Sequence, residues 1–313
     1  MSFADTIRSL VRGDEIVIFH EFHKPPYGGG NQFLMALRKE LRHRGFRVGN
    51  RVGRDTKAVL MNSFNFNPDA MRRAKRKYPK LRIVHRLAGP IGIYRGTDTE
   101  IDDRTHLLNE ELADATIFQS QYSLTKYREL GLEFKNPVVI RNTVDPDIFN
   151  PKGRLPPPAG KRKVRLIATA WSDNPKKGGP LLAWLDEHLD HSRFELTFVG
   201  RTKAVFKNAR VIAPVPSEKL ADILRQQDVY IAPSQDDPCS NGLLEALACG
   251  LPVAYLKSGG HPELVSDGGV GFSTNDGLLS AISQIAENWQ TYHDNVSVEA
   301  LGTVANKYLN VLT

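Results

Sequence analysis

The sequence predicts an α/β protein of two domains, each a parallel sheet covered by helices. Three observations carry that expectation. The chain has 313 residues, about twice the usual size of one domain. Short apolar runs alternate with stretches of helical periodicity along its length, the pattern of strands joined by crossover helices. The alternation breaks once, from about Asp145 to Lys163, where Pro146, Pro151, Pro156, Pro157 and Pro158 with Gly153 and Gly160 leave no period. That is a linker or hinge composition.

In the first half the expected strands are Ile16–His20, Ala58–Asn62, Arg82–Leu87, Ala115–Gln119 and Val138–Arg141. Between them, Asn31–Arg44 places Phe33, Leu37 and Leu41 on one helical face, and Gly45 stops it. Ser123 reads as the N-cap of a helix ending at Gly131. After the break, strands are expected at Val164–Ala168, Glu195–Val199, Val229–Ala232 and Leu251–Tyr255. Helices are expected at Lys177–His188, Ser217–Gln226, Asn241–Cys249 and Asp276–Glu287, with a closing helix over Val298–Leu312. The organisation is then an N-terminal Rossmann-like domain over 1–148, a linker over 149–163 and a second domain over 164–313, its last helix packing back toward the first. Ligands of such sheets lie beyond the carboxyl ends of the strands, so a cleft between the two domains is the expected site.

Composition narrows the function. Apolar residues at 41% with 25% charged exclude a disordered, collagenous or coiled-coil chain. No apolar run approaches the roughly 18 residues that span a bilayer, and MSFADTIRSLVRGDE lacks the apolar core of a signal peptide. Cys239 and Cys249 are too few for a disulfide framework or a thiolate zinc site. His20-Glu21-Phe22-His23 has the wrong spacing for a metal pair, and no metal is expected. A cytoplasmic protein is the expectation. Residues 1–150 hold 25 Lys and Arg against 18 Asp and Glu, whereas 151–313 hold 17 of each, so the whole excess of +7 lies in the first half. It concentrates in Arg38–Arg54 and Arg72–Arg82, a face suited to a polyanion such as an anionic membrane surface. Only Phe46 and Tyr78 are interleaved with those cations, which argues against nucleic acid.

The densest run is APSQDDPCSNGLLEALACGLPVAYLKSGGHPELV, Ala232 to Val265. A strand ends, a polar loop carries Asp237, and a helix opening near Asn241 carries Glu245 eight residues on. A second loop, Ser258-Gly259-Gly260-His261, lets backbone amides approach a phosphate. This run resembles the donor site of retaining GT-B glycosyltransferases of glycosyltransferase family 4, whose pattern is an acidic residue, seven residues, Glu, then E-A-x-A-x-G-x-P-V and G-G-x-P-E. Three further segments are similar: the glycine loop Gly28-Gly29-Gly30-Asn31-Gln32-Phe33, Ala113-Asp114-Ala115 through Ser123, and Ile140-Arg141-Asn142-Thr143-Val144-Asp145 through Phe149 and Pro151.

The resemblance implies a GT-B fold and a metal-independent, retaining transfer from a UDP- or GDP-type nucleotide-diphosphate sugar to a glycan, lipid-linked or small-molecule acceptor. The nucleotide sugar is a substrate, and no cofactor is implied. It implies that Glu245 accepts from the ribose hydroxyls and that Asp237 contacts the donor sugar. Gly29, Gly30, Asn241, Gly242 and Leu243 would cradle the diphosphate, and Lys177 would offset its charge. Two departures stand out. Asp237 occupies a position that is usually Glu, and Ser172 one that is usually Arg; Lys176 or Arg201 is the expected replacement cation. His85 would line the cleft near the reacting carbon, or else be a satisfied core histidine. Arg86 and Arg95 are expected on the side of an acidic or phosphorylated acceptor. Rival readings are a GT-B epimerase or phosphorylase, and a basic scaffold on a degenerate transferase fold.

Overall fold

The computed structural model describes residues 13–24, 28–64, 66–158, 160 and 162–313. The chain forms two compact units. One holds the described residues up to His23, Leu34–Arg141 and Leu301–Thr313; the other holds the described residues of Lys24–Phe33 and Asn142–Ala300. The crossing at Arg141–Asn142 lies seven residues before the expected boundary after 148.

The first unit is a six-stranded parallel sheet of β1 (Ile16–Phe19), β2 (Val48–Gly49), β3 (Ala58–Asn62), β4 (Arg82–Leu87), β5 (Ala115–Phe118) and β6 (Pro137–Val139), in the order β2-β1-β3-β4-β5-β6. Its helices are α1 (Gly29–His43), whose first turn falls in the second unit, α2 (Pro68–Lys77), the short α3 (Ile91–Arg95), α4 (Glu100–Leu112) and α5 (Gln121–Glu129). Ala58–Asn62 and Ile83–Leu87 are buried throughout, as strands covered on both faces must be. α5 starts earlier than the sequence implied: Ser120 is its N-cap, and its side chain accepts from the Ser123 amide.

The second unit contains β7 (Val164–Ala170), β8 (Phe194–Gly200), β9 (Arg210–Ile212), β10 (Val229–Ala232), β11 (Val253–Leu256) and β12 (Gly269–Phe272), all parallel, in the order β12-β11-β10-β7-β8-β9. Its helices are α6 (Gly179–His188), α7 (Ser217–Arg225), α8 (Asn241–Ala248), the short α9 (His261–Val265), α10 (Asn275–Glu287) and α11 (Trp289–Asp294). Ile167 packs with Leu224, Leu243 and Leu247 on one face. Its neighbours Leu166 and Ala168 pack with Leu182, Leu185, Ile282 and Ile285 on the other, which is the period of two made visible. The expected linker is fastened to this unit. The Leu155 amide donates to the Arg225 carbonyl at 3.1 Å, and Arg162 reaches the fully buried Asp228 at 2.8 Å. α12 (Leu301–Leu312) closes the chain against β3 and β4 of the first unit.

Candidate functional site

In a parallel sheet the ligand crevice lies where the strand order reverses. In the second unit that is between β7 and β10, and the residues singled out by the sequence gather on the loops that follow them.

After β7 come Trp171, Ser172, Lys176 and Lys177; after β10 come Asp236, Asp237 and α8. The two loops are tied together. The Gln235 amide donates to the Lys176 carbonyl at 2.7 Å. The Lys177 Nζ donates to Asp237 Oδ2 at 2.7 Å, and Lys176 Nζ to Asp236 Oδ2 at 2.9 Å. Burial pushes the Asp237 carboxyl up, but the Lys177 ammonium, with the Cys239 amide on Oδ1 at 3.2 Å, outweighs it and holds it below the usual carboxylate range. His261 is buried behind them. Its Nδ1 donates to the Leu256 carbonyl at 3.0 Å, so Nε2 accepts from Ser234 Oγ at 3.1 Å.

α8 presents its first turn to this crevice. Ser240 provides no side-chain cap, so the amides of Asn241, Gly242 and Leu243 keep the donor capacity that a helix start leaves over. A Cβ at Gly242 would lie 2.6 Å from Thr169 Oγ1 and 2.9 Å from Tyr230 Oη; only glycine lets the helix start sit this close to β7 and β10. Asn241 Oδ1 accepts from Asn142 Nδ2 at 3.1 Å. The glycine loop packs on the same spot, where a Cβ at Gly29 would overlap the Asn241 side chain. Gly30 has open space around it. Two helix N-termini, those of α1 and α8, therefore abut. The Leu243 side chain itself is fully buried in the core, leaving only its backbone for a ligand.

Glu245, one turn further along α8, is half-buried. Its carboxyl meets no hydrogen-bond donor and no cation among the described residues, and desolvation alone pushes it up to about 8. Arg201 is exposed at the end of β8 and lies over the Trp171 ring, 4.6 Å from its centroid. The sequence reading missed Trp171, Tyr230 and Asn142; Trp171 directly follows β7, which runs two residues past the expected strand end at Ala168, and its pairing with Arg201 has no local signal.

The first-unit residues are placed differently. His85 is fully buried on β4. Its Nε2 donates to the Ser63 carbonyl at 2.8 Å, and its Nδ1 accepts from Asn109 Nδ2 at 3.2 Å. Burial takes its pKa down to about 4, so it is a neutral, doubly satisfied core histidine, and the expectation that it reaches a substrate is corrected. Arg86 is likewise buried, donating from Nε to Tyr308 Oη at 3.0 Å and from Nη1 to Asn62 Oδ1 at 2.5 Å. It does not present its guanidinium to an acceptor. Arg95 is exposed, 3.8 Å from Asp98 and near the rings of Phe64 and Tyr94. The short helix that carries it is capped by buried Asp102, which accepts from the amides of Ile91 and Gly92 at 2.7 and 2.9 Å.

Residues 174–289 match the family described as Glycosyl transferases group 1. A D-inositol 3-phosphate glycosyltransferase of Streptosporangium roseum is 37% identical over 73 residues, which is 23% of this chain and 17% of that protein; the match thus spans less than a fifth of the relative's length. The catalytic domain of starch synthase IV from Arabidopsis thaliana, solved bound to ADP and acarbose, has a TM-score of 0.75 at 12% identity, covering 96% of this chain and 99% of that one. HepE from Anabaena, solved with UDP-glucose, has a TM-score of 0.65 at 14% identity, covering 95% and 96%. The fold is GT-B.

Proposed function

From a group 1 glycosyltransferase domain over residues 174–289 on a GT-B fold, we propose that the chain is a retaining, metal-independent glycosyltransferase. It moves a sugar from a nucleotide-diphosphate sugar to a glycan, lipid-linked or small-molecule acceptor. The observation that carries the reading is Glu245, a desolvated carboxyl without a donor of its own, one helical turn from uncapped amides. Ribose hydroxyls supply the donors it lacks, and the diphosphate takes the amides. Lys177 and Lys176 with Arg201 supply positive charge as it grows on the leaving diphosphate, the part a divalent ion plays elsewhere. The glycosidic bond to the diphosphate breaks, the acceptor oxygen bonds to the same carbon on the same face, and its proton passes to the departing phosphate oxygen.

Asp237 receives the donor sugar's hydroxyls, and Lys177 shares it. Arg95 stands exposed as one candidate acceptor-side cation. The basic first half suits peripheral contact with the cytoplasmic face of an anionic membrane; among the described residues no helix is long and apolar enough to cross one.

A thermal-shift screen across UDP-, GDP- and ADP-sugars, with and without Mg²⁺, tests the reading. A ligand at 100 times its Kd stabilises by about 2.7 kcal/mol, so one nucleotide class raises Tm in either condition. No shift with any of them, or a shift only with Mg²⁺, refutes it. Arg201→Ala is the companion test, and unchanged Michaelis and turnover constants reject Arg201 as the stand-in for the family arginine that Ser172 replaces.

A further inference from the structure

The carboxyl edge of the first sheet carries chemistry that the donor site does not use. There too the strand order reverses, between β1 and β3, which marks a ligand crevice of its own. His20 follows β1, Asn62 ends β3, and Phe22 lies two residues beyond His20.

Four contacts build a recognisable set. The His20 ring stands edge-on to Phe22, centroids 5.1 Å apart. The Arg38 guanidinium lies over the same Phe22 ring, 4.0 Å from its centroid. Arg38 is half-buried and has no carboxylate partner among the described residues; burial, with the charge of Arg42, lowers its pKa. A partly desolvated cation without a counter-charge is costly unless an anion completes it. Behind His20 the hydrogen bonds run in one direction. Arg86, which can only donate, takes Asn62 Oδ1 at 2.5 Å. The Asn62 amide nitrogen must then face His20 Nδ1, at 3.2 Å. Nδ1 accepts, and the proton of neutral His20 resides on Nε2. Arg86 is thus a positioning residue that fixes His20 as a donor, acting through Asn62.

A cation and a fixed neutral donor set against one aromatic ring, the cation over its face and the donor ring perpendicular to it, suit a sugar that bears an oxyanion. We propose that this edge binds the acceptor as an anionic sugar, a phosphorylated or carboxylated one, with Arg38 taking the charge and His20 Nε2–H donating to an oxygen. The assignment to the acceptor rests on the transferase reading; the site itself does not.

Calorimetry on the full chain tests it with four probes: glucose 6-phosphate, glucuronate, glucose and inorganic phosphate. At least one charged sugar is expected to bind about tenfold or more tighter than both glucose and inorganic phosphate. Arg38→Gln removes about tenfold or more of that affinity, and Arg38→Lys restores part. Asn62→Asp makes position 62 an acceptor, moves the His20 proton to Nδ1 in ¹⁵N NMR, and weakens the same probe. Inorganic phosphate binding as well as either charged sugar reduces the site to an adventitious ion only and overturns the proposal. So do the absence of binding by both charged sugars, and equal affinity in Arg38→Gln. UDP-glucose titrated into the same samples reports separately on the donor reading, so either can fail alone.

Discussion

Lys177 and Asp237 hold each other at 2.7 Å, and this pair sets what single substitutions do. Lys177→Ala is expected to lower turnover about 10²–10³-fold, with a smaller loss of donor affinity, because the cation matters most when diphosphate charge develops. It also leaves the Asp237 carboxylate buried without its ion pair, so stability falls; adding Asp237→Asn restores stability but not turnover. Steady-state kinetics beside thermal unfolding separates the two effects, and a raised Michaelis constant with equal turnover rejects the charge role. At this scale Asp237 and Glu245 were legible as candidates because one dense run fixes their spacing, and Lys177 only through the family resemblance. His85 and Arg86 were not. Their apolar neighbours identify a strand, but nothing local says that β4 pairs with both β3 and β5 and lies under α12. Only that central position buries both side chains and gives His85 its Asn109 partner from α4.

Between elements, the contact of the α1 start with the α8 start depends on Gly29, where any Cβ overlaps Asn241. Gly29→Ala is expected to cost about tenfold or more in nucleotide-sugar affinity by moving the two helix starts apart. Calorimetry with UDP-glucose and far-UV dichroism check it, and unchanged affinity with native helicity contradicts the contact's role. The long elements were readable from periodicity: Ala58–Asn62, Arg82–Leu87 and Val229–Ala232 fall where expected. The sheet-edge strands β2 and β9, two and three residues long, are too short to show a period. β12, Gly-Val-Gly-Phe, lacks the side chains that mark a strand. α5 was placed from Ser123, although Ser120 three residues earlier does the capping; two serines at that spacing give the same local signal.

For the chain as a whole, the basic excess of the first half is largely engaged in structure. Arg42 donates to the Val48 carbonyl, Arg44 to the Gly302 carbonyl, Arg82 to the Val311 carbonyl and Arg72 to Glu111. Arg73, Arg76 and Lys80 remain exposed. At about 1 kcal/mol for each engaged cation, binding to anionic liposomes is expected to be weak, absent on neutral ones and lost by about 0.5 M salt. Charge reversal at Arg73 and Arg76 weakens co-sedimentation further; equal partitioning to both vesicle types, or to neither, rejects membrane contact. Stability also depends on pH in two directions. Glu245 titrates at about 8 when folded against an ordinary 4.5, so the folded chain holds a proton the unfolded chain has released, and stability falls as pH rises from 4.5 through 8. His85 titrates at about 4 against 6.5, so the unfolded chain takes the proton first, and stability falls as pH drops through 6.5 toward 4. Glu245→Gln is therefore expected to raise Tm above that of the native chain at about pH 8.5, with a gap that closes toward acid. A constant or reversed gap in scanning calorimetry contradicts the desolvated carboxyl.

The same residue gives the most direct test of the central claim, that the crevice beside α8 binds a nucleotide-sugar through Glu245. UDP-, GDP- and ADP-sugars are titrated into the native chain near pH 7 in buffers of different ionisation heat. In the proposed complex the ribose hydroxyls donate to the ionised carboxylate, so binding is expected to release up to about one proton and to tighten as pH rises toward 8. Glu245→Gln should lose both the proton release and most of the affinity while remaining folded. Binding that releases no proton and is equal in Glu245→Gln, or no binding of any nucleotide-sugar, would contradict it.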